Sequence, residues 1–251
     1  MDGAIPDFDK IWGRDKYLAK INPAQIHRRR LTKHFLNKLR VGPASILDIG
    51  CGTGELLNEL FSIYPNAQFY GCDTSGKAGK LATAALPSMQ FYCFNAEEIP
   101  KGTFDKTVDL ITCCEVLEHC SSPIELVKNV YQWLNKDGLF FVSVPAGPMT
   151  AYDQTIGHRH HFTIQEIRGL LASHGFCDVH AEYWGAPFHT LYRELVRFVS
   201  GWNKSKEKID PNPYLLPYYL CSKVFNLLFY LNFLKSGYQI FGWGIKRANK
   251  H

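Results

Sequence analysis

A cluster of glycines near residue 50 is the first feature that could bind a ligand. The sequence reads Ser45-Ile-Leu-Asp-Ile-Gly-Cys-Gly-Thr-Gly54, and a helix-like segment begins directly after it. Glycine tolerates positive φ and carries no side chain, so a ligand can approach bare backbone at this turn. The first amides of the following helix then point at the ligand. The G-x-G-x-G spacing lacks the lysine of a phosphate-binding loop and differs from the G-x-G-x-x-G of dinucleotide folds.

Two acidic residues accompany that turn. Asp73 ends the second apolar run, about 20 residues after the glycines, where an acid can accept hydrogen bonds from the hydroxyls of a ribose. Asp48 lies in the first apolar run, just before the glycines. A buried acid needs hydrogen-bond donors, and we expect the amides of the glycine turn to supply them to Asp48.

A histidine-rich loop, Gly157-His-Arg-His-His-Phe162, is the second feature with chemical potential. The pKa of imidazole lies near neutrality, which suits a general base for a hydroxyl. His158 and His160 are the first candidates for that base, and His119 is the third. The alternative is that one histidine of the loop packs, one caps a helix and one is solvated. Tyr152 and Asp153, in the same loop region 146–162, are weaker candidates for substrate contact.

Apolar runs that alternate with helix-like segments predict the elements that position these residues. Strands are predicted at 45–50, 67–73, 89–94, 108–114, 139–144, 178–184 and 238–246. Helices are predicted at 24–39, 55–63, 75–85, 123–134 and 163–174, with a turn at 135–138 and a capping box at Thr163 and Glu166. This alternation indicates an α/β fold with a doubly wound, mostly parallel sheet. Ligands of such a sheet bind beyond the carboxyl ends of its strands, where the candidate residues converge.

The motifs as a set resemble one family. The set consists of Asp48-Ile-Gly-Cys-Gly-Thr-Gly54, Asp73, Asn95-Ala-Glu97, Glu115-Val-Leu-Glu-His119 and Asn135-Lys-Asp-Gly138. Together they resemble the class I S-adenosylmethionine-dependent methyltransferases of the small-molecule type called type 11. The resemblance covers about 1–185 and the last strand. It implies a seven-stranded sheet with an antiparallel last strand, helices on both faces and S-adenosyl-L-methionine bound over the glycine turn.

The same resemblance implies roles for individual residues. Asp73 would hold the ribose, Asn95-Ala96-Glu97 would meet the adenine, and Cys114 would line the methionine side. The residues that it assigns to the cofactor site are Asp48, Gly50, Cys51, Gly52, Asp73, Thr74, Asn95, Ala96, Glu97 and Cys114.

The trio Glu115, Glu118 and His119 leaves a divalent metal open. It resembles a trio of the ubiquinone-type O-methyltransferases and of the small-RNA 2′-O-methyltransferases, where two glutamates and histidines hold a divalent ion. Residues three or four apart share a helix face, so the trio could reach one side of the crevice. The alternative is that these acids cap the next helix. No basic stripe with interleaved aromatics is present, which disfavours nucleic acid as a partner.

The resemblance implies methyl transfer to a small-molecule, sugar or lipid-linked acceptor. The histidine-rich loop favours O-methylation, because a hydroxyl gains from a base whereas an amine acceptor needs only to be neutral. In the resembled family the segment 157–163 usually carries arginine where this chain has His160. The alternatives are N-methylation of a small metabolite, metal-assisted RNA 2′-O-methylation, and a degenerate methyltransferase-fold scaffold without activity.

Composition and breaks in the pattern suggest four segments. They are an N-terminal arm and helix over the cofactor site (1–40), a core (41–185), a helical insertion (186–237) and the last strand (238–251). The apolar, aromatic insertion is predicted to cap the pocket, to form a dimer face, or to contact a membrane through 204–234 with the help of Lys204, Lys206 and Lys208. Eight cysteines without a C-x-x-C pair, and an N-terminus without an apolar stretch, predict a cytoplasmic protein. The oligomeric state stays open.

Overall fold

The computed structural model describes residues 18–98, 104–202 and 215–247. The predicted arm at 1–17 and the lysine-rich stretch 203–214 lie outside the described residues. The helices of the described part are α1 (Leu18–Ile21), α2 (Pro23–Lys38), α3 (Glu55–Phe61), α4 (Gly76–Ala85), α5 (Pro123–Trp133), α6 (Ala151–Thr155), α7 (Ile164–Ser173), α8 (Phe188–Trp202) and α9 (Leu215–Leu228), with 3₁₀ helices at Leu117–His119 and Phe229–Leu231. The strands are β1 (Ser45–Ile49), β2 (Gln68–Asp73), β3 (Gln90–Cys93), β4 (Val108–Cys114), β5 (Leu134–Pro145), β6 (Phe176–Ala186), β7 (Phe233–Leu234) and β8 (Gln239–Lys246).

The strands form one sheet in the order β3-β2-β1-β4-β5-β8-β6-β7. Strands β1 to β5 pair in parallel, and β8 pairs antiparallel with both β5 and β6. The predicted doubly wound, mostly parallel sheet with an antiparallel last strand is confirmed. The two-residue strand β7 adds an eighth strand to the predicted seven, because the chain returns beside Trp184 and Ala186 before it enters β8.

Helices cover both faces of the sheet, and the alternation of buried side chains along the strands shows it. Leu47 and Ile49 of β1 belong to one buried cluster, which also contains the apolar residues of α5 and α7. Ile46, directly before Leu47, belongs to a second cluster with Phe35 of α2 and Leu57 of α3. A strand buried on both faces reads as a continuous apolar run, which is why β1 was recognisable from sequence.

Two local predictions were wrong. The turn predicted at 135–138 is a bulge at the start of β5, where Val108 pairs with Leu134 and Leu110 next pairs with Leu139. Asp137 adopts a φ of 62° in this bulge, and the extra residues loop out while the pairing with β4 continues. The loop predicted at 146–162 contains the short helix α6, which a complete capping box between Thr150 and Asp153 starts.

The predicted insertion is helical, as α8 and α9 show, and it packs on the N-terminal helices. Helix α9 contacts α2, and the Ser222 hydroxyl donates a hydrogen bond to the Ile21 carbonyl oxygen. The His27 ring of α2 stacks on Trp184 with 5.0 Å between ring centroids and meets the edge of Phe229. Among the described residues, no helix is both long enough and apolar enough to cross a membrane.

Candidate active site

The glycine turn after β1 needs its glycines for two separate reasons. Gly50, Gly52 and Gly54 have φ values of 67°, 53° and 83°, which L side chains rarely adopt. A Cβ at Gly50 would also lie 2.3 Å from Cγ2 of Val116. The turn therefore needs glycine both for its backbone conformation and for its close packing against Val116, just after β4.

Asp73, and not Asp48, holds the glycine turn. Oδ2 of Asp73 accepts a hydrogen bond from the Gly52 amide at 3.0 Å, and its Oδ1 accepts one from the Ser75 amide at 2.9 Å. The expectation that the turn amides bind Asp48 was wrong, because Asp48 lies inside β1 and faces the neighbouring strand. Its Oδ1 accepts a hydrogen bond from the Thr112 hydroxyl of β4 at 2.7 Å. A carboxylate can accept about four hydrogen bonds, so the two amides are compatible with a ligand hydroxyl on Asp73.

Asp48 is an acid whose surroundings favour the protonated form. The pKa of Asp48 is raised to about 7. Burial is the main cause, the hydrogen bond from Thr112 opposes the rise, and the charge of Asp73 adds to it. Near neutral pH this carboxyl therefore switches between neutral and charged. Such a group can respond to a cationic ligand in the cavity that it lines.

A cavity lies over the turn, between the carboxyl ends of β1 and β4 and helix α2. Gly50 and Gly52 form its floor, and Arg28 of α2, Cys114 and Glu115 line its wall. The Arg28 guanidinium and the Glu115 carboxylate are 2.5 Å apart. Glu115 has a φ of 61°, and its other oxygen accepts a hydrogen bond from Gln239 of β8 at 2.8 Å. The wall of the cavity thus offers a positive and a negative group side by side.

The segment after β3 forms a compact turn beside the start of α5. The Asn95 side chain accepts a hydrogen bond from the Glu97 amide, and the Asn129 side chain of α5 donates one to the Ala96 carbonyl oxygen. The Glu97 carboxylate accepts hydrogen bonds from the Ser122 amide and the Ser121 hydroxyl. This segment is tied to the loop before α5, whereas Thr74 is exposed at the end of β2.

Three histidines form a chain of imidazoles beside the 3₁₀ helix Leu117–His119. Nδ1 of His119 lies 3.0 Å from the Gly157 carbonyl oxygen, and Nδ1 of His161 lies 3.2 Å from the Gly147 carbonyl oxygen. Carbonyl oxygens only accept, so both Nδ1 atoms carry protons and both Nε2 atoms carry lone pairs. Nδ1 of His158 lies 2.9 Å from Nε2 of His161 and therefore donates to it. Neutral His158 and His119 consequently present lone pairs on their Nε2 nitrogens.

Burial keeps these imidazoles neutral. Burial, and after it the charges of His119 and His161, lower the pKa of His158 to about 3. Burial also lowers the pKa of His119 and of His161, against the raising effect of their carbonyl partners. The three imidazoles are therefore uncharged at neutral pH.

Glu118 is buried against this cluster. Neither carboxylate oxygen of Glu118 has a hydrogen-bond partner in the described part of the chain. Burial, and next the charge of Glu115, hold the pKa of Glu118 well above its usual range. Ligand atoms of Glu118, His119 and His158 lie within 4.8 Å of one another. Two imidazoles and a carboxyl in this arrangement suit either a proton held on Glu118 or a divalent cation.

His160 lies apart from the other candidates. Its Nε2 is 2.9 Å from Oε1 of Glu166, in the capping box that starts α7, and about half of its side chain is exposed. Its ring packs on the edge of Phe162. The structure brings His119 and His158 together and leaves His160 on the surface.

Two arginines that sequence reasoning did not single out complete the histidine side. The Asp153 carboxylate of α6 is buried, and it pairs with Arg197 at 2.9 Å and with Arg193 at 3.3 Å, both from α8. Burial alone would raise the pKa of Asp153, but hydrogen bonds from Thr150 and the charges of both arginines hold it below its usual value. Asp153 is thus an anchor between α6 and α8. The spacing of four residues between Arg193 and Arg197, which places both on one face of α8, was the available signal in the sequence.

Comparison with known proteins agrees with this architecture. Residues 24–181 match a family described as a methyltransferase domain. The match begins in α2, which lines the cavity, and ends in β6. It therefore includes the glycine turn, Asp73 and the histidine cluster.

Two curated relatives and one solved structure illustrate the similarity. The malonyl-[acyl-carrier protein] O-methyltransferase of Halalkalibacterium halodurans is 33% identical over 115 residues, which cover 44% of this chain and 42% of that protein. The ubiquinone biosynthesis O-methyltransferase of Coxiella burnetii is 29% identical over 148 residues, which cover 57% of this chain and 59% of that protein. The chain thus matches about half the length of these curated relatives.

A methyltransferase solved in complex with the Trm112 methyltransferase activator of Haloferax volcanii shares the fold with a TM-score of 0.65. The alignment covers 99% of this chain and 100% of that one at 17% identity, so the likeness concerns the fold alone. The family match spans more than half of the residues of this chain, and the sheet order and the glycine turn agree with that family. The chain therefore belongs to the methyltransferase-domain family and has the class I fold.

Proposed function

We propose that the protein transfers a methyl group from S-adenosyl-L-methionine to an oxygen atom of a small-molecule or lipid-linked acceptor. One observation carries this proposal: β4 and the 3₁₀ helix after it serve both halves of the site. Cys114 and Glu115 line the cavity over the glycine turn, and His119, four residues later, belongs to the imidazole cluster. A donor on the turn and an acceptor at the histidines would therefore be neighbours.

The cavity side fits the proposed cofactor by its charges. A methionine moiety ends in an ammonium and a carboxylate, and the Glu115–Arg28 pair offers the complementary charges on one wall. Asp73 accepts a hydrogen bond from the amide of Gly52, which forms the floor of the cavity. This position beside the floor supports the proposed role of Asp73 as the partner of the ribose. The position of α2 over the turn likewise supports the prediction that the segment 1–40 covers the cofactor site. The boundaries of the other segments, 41–185, 186–237 and 238–251, stay predictions.

The chain's own contribution to the chemistry is alignment and a place for the proton. When bound, the cofactor supplies a methyl group already activated on a sulfonium sulfur. The buried histidine side excludes water, and alignment of the acceptor supplies most of the acceleration. Nε2 of His158 or of His119 accepts the proton of an acceptor hydroxyl, since these lone pairs are present at neutral pH. The positive charge that His158 then carries is stabilised by His161, which accepts the hydrogen bond from Nδ1 of His158. Nε2 of His161 in turn lies 3.8 Å from the Asp153 carboxylate.

Two measurements test this function. Calorimetry with S-adenosylhomocysteine, the demethylated product, is expected to show binding to the folded protein, and a well-folded protein without binding would overturn the proposal. A panel of hydroxyl, carboxylate and amine acceptors with S-adenosylmethionine is then expected to release the demethylated product with oxygen acceptors. Turnover with amines alone would overturn O-methylation and leave methyl transfer intact.

The orphaned carboxyl of Glu118 supports a second candidate, a metal-assisted transfer. Glu118, His119 and His158 would hold a divalent cation that lowers the pKa of an acceptor hydroxyl. Native mass spectrometry of the protein with Mn²⁺ or Mg²⁺, compared with a Glu118→Gln variant, distinguishes the candidates. A stoichiometric ion in wild type that the variant loses, together with turnover that a chelator abolishes, supports the metal. Full turnover in the chelator supports a histidine base without metal.

A further inference from the structure

Helices α8 and α9 expose an apolar surface that is large for a chain of this size. The exposed residues of α8 are Leu191, Leu195, Phe198 and Val199, at the spacing of one helix face. The exposed residues of α9 and of the segment after it are Tyr219, Leu220, Val224, Leu227, Tyr230, Leu231 and Phe233. Leu227 is 72% exposed and Phe198 is 68% exposed, so these side chains project from the surface. Scattered exposed apolar residues need no explanation, but a concentration on adjoining helices marks an interaction surface.

The two helices form one unit. Tyr192 of α8 packs against Phe225 and Phe229 with ring centroids 5.0 and 5.7 Å apart. The exposed residues Leu191 and Val224 directly precede this contact on their helices. We call the exposed residues of α8, α9 and the segment 230–233 the outer apolar face.

The opposite face of α8 serves the site. Arg193 donates hydrogen bonds to the carbonyl oxygens of Tyr238 and Ala146, and Arg197 donates to the Pro148 carbonyl oxygen and pairs with Asp153. The helix therefore has one side anchored next to the histidine cluster and the other side turned outward and apolar. Whatever binds the outer apolar face lies one helix diameter from the proposed acceptor side.

The described charges around this face are mostly basic. The exposed Lys223 and Lys235 lie on and after α9, and the sequence contains no Asp or Glu after Asp210. On α8, the Glu194 carboxylate is paired with Arg197 at 2.6 Å. The sequence between the two helices, outside the described residues, contains Lys204, Lys206 and Lys208 together with Glu207 and Asp210. Exposed Tyr, Phe and Leu side chains accompanied by basic residues are the combination that binds the interface of an anionic bilayer.

We propose that the outer apolar face docks on an anionic lipid bilayer, with Phe198 and Leu227 inserted among the lipids and Lys223 and Lys235 at the headgroups. The charge favours lipid over a second copy of the chain, because two copies face to face would bring lysine against lysine. Docking in this orientation holds α8 between the membrane and the histidine cluster. The proposal concerns binding to the bilayer and does not depend on methyl transfer, so each can fail without the other.

Vesicle sedimentation with the full chain tests the proposal. Wild type is expected to sediment with vesicles of phosphatidylcholine and phosphatidylglycerol in equal parts, and weakly with phosphatidylcholine alone. Phe198→Ser and Leu227→Ser each remove one inserted side chain, and each is expected to weaken binding roughly tenfold. Lys223→Glu is expected to weaken binding to the anionic vesicles by roughly fivefold, with less effect at high salt.

Ile124→Ser is the matched control. Ile124 lies on α5, away from the outer apolar face, and is 49% exposed, so its replacement is expected to leave vesicle binding and the unfolding temperature unchanged. The unfolding temperatures of the Phe198 and Leu227 variants, whose side chains are exposed, are expected to match wild type. Equal vesicle binding by Leu227→Ser and wild type would overturn the proposal. So would a wild-type dimer that Phe198→Ser converts to a monomer.

Discussion

The glycine-turn side and the histidine side of the crevice are built in different ways. On the glycine-turn side, the conformation is local, since the positive-φ turn follows β1 within a few residues and Asp73 ends the adjacent strand. On the histidine side, each key contact joins distant segments: Gly157 meets His119, and Arg193 and Arg197 meet Asp153. The glycine-turn side is formed mainly by backbone, and the histidine side is formed by side chains from distant segments.

The largest expected effect tests whether the histidine side depends on its anchor. Asp153→Ala leaves the guanidinium groups of Arg193 and Arg197 without their buried carboxylate and is expected to lower the free energy of unfolding by about 3–5 kcal/mol. Urea denaturation measures it. In the control Asp178→Ala, which breaks the exposed pair with Arg247, we expect a loss of at most about 1 kcal/mol. Equal losses would show that α8 does not depend on this pair.

The next prediction separates two histidines that look alike in sequence. His158→Ala is expected to lower turnover of an oxygen acceptor roughly a hundredfold, as the loss of a general base does, while binding of the demethylated cofactor is kept. His160→Ala is the control, because His160 is exposed and bonded to Glu166. Steady-state kinetics with both variants decide the matter. Normal turnover by His158→Ala would refute its role as the base.

The glycine-turn side is tested through its acid. Asp73→Ala removes the acceptor of the Gly52 and Ser75 amides and the proposed partner of the ribose, and we expect affinity for S-adenosylhomocysteine to fall between roughly tenfold and a hundredfold. Calorimetry measures the affinity, and Asp105→Asn, at an exposed position before β4, is the control. Unchanged affinity in the Asp73 variant would remove this acid from the cofactor site.

The last prediction is a slope of stability with pH. The folded-state pKa of Asp48 is about 7, above its ordinary value of 3.8, so between these values the folded protein holds a proton that the unfolded chain has lost. The contribution of Asp48 to stability is therefore complete below pH 3.8 and is lost as the pH rises towards 7. Asp48→Asn is expected to remove this loss, which is at most about 1.4 kcal/mol per pH unit. Parallel stability curves of wild type and variant from pH 4 to 7 would contradict the raised pKa.

Residues close in sequence were predicted well, and residues that act across the sheet were not. The capping box of Thr163 and Glu166 depends on residues three apart, and it is present as predicted. The donors to Asp48 were predicted wrongly, because a strand residue turns to whichever neighbour the sheet provides, here Thr112 of β4. The bulge at 135–138 was read as a free turn for the same reason, since pairing with β4 continues on both sides of it.

By itself, the sequence determined the α/β class, the mostly parallel sheet and the glycine turn, because apolar periodicity and positive-φ glycines are local properties of the chain. The antiparallel last strand was implied only by the resemblance to the methyltransferases. Only the tertiary structure decided which charged groups meet. Gln239 reaches Glu115 across 124 residues because β8 lies beside β5, and Arg28 reaches the same carboxylate because α2 covers the end of β4. It likewise placed His158 with His119 and left His160 at the surface. Contacts of this kind depend on strand order and helix packing, which no short stretch of sequence encodes.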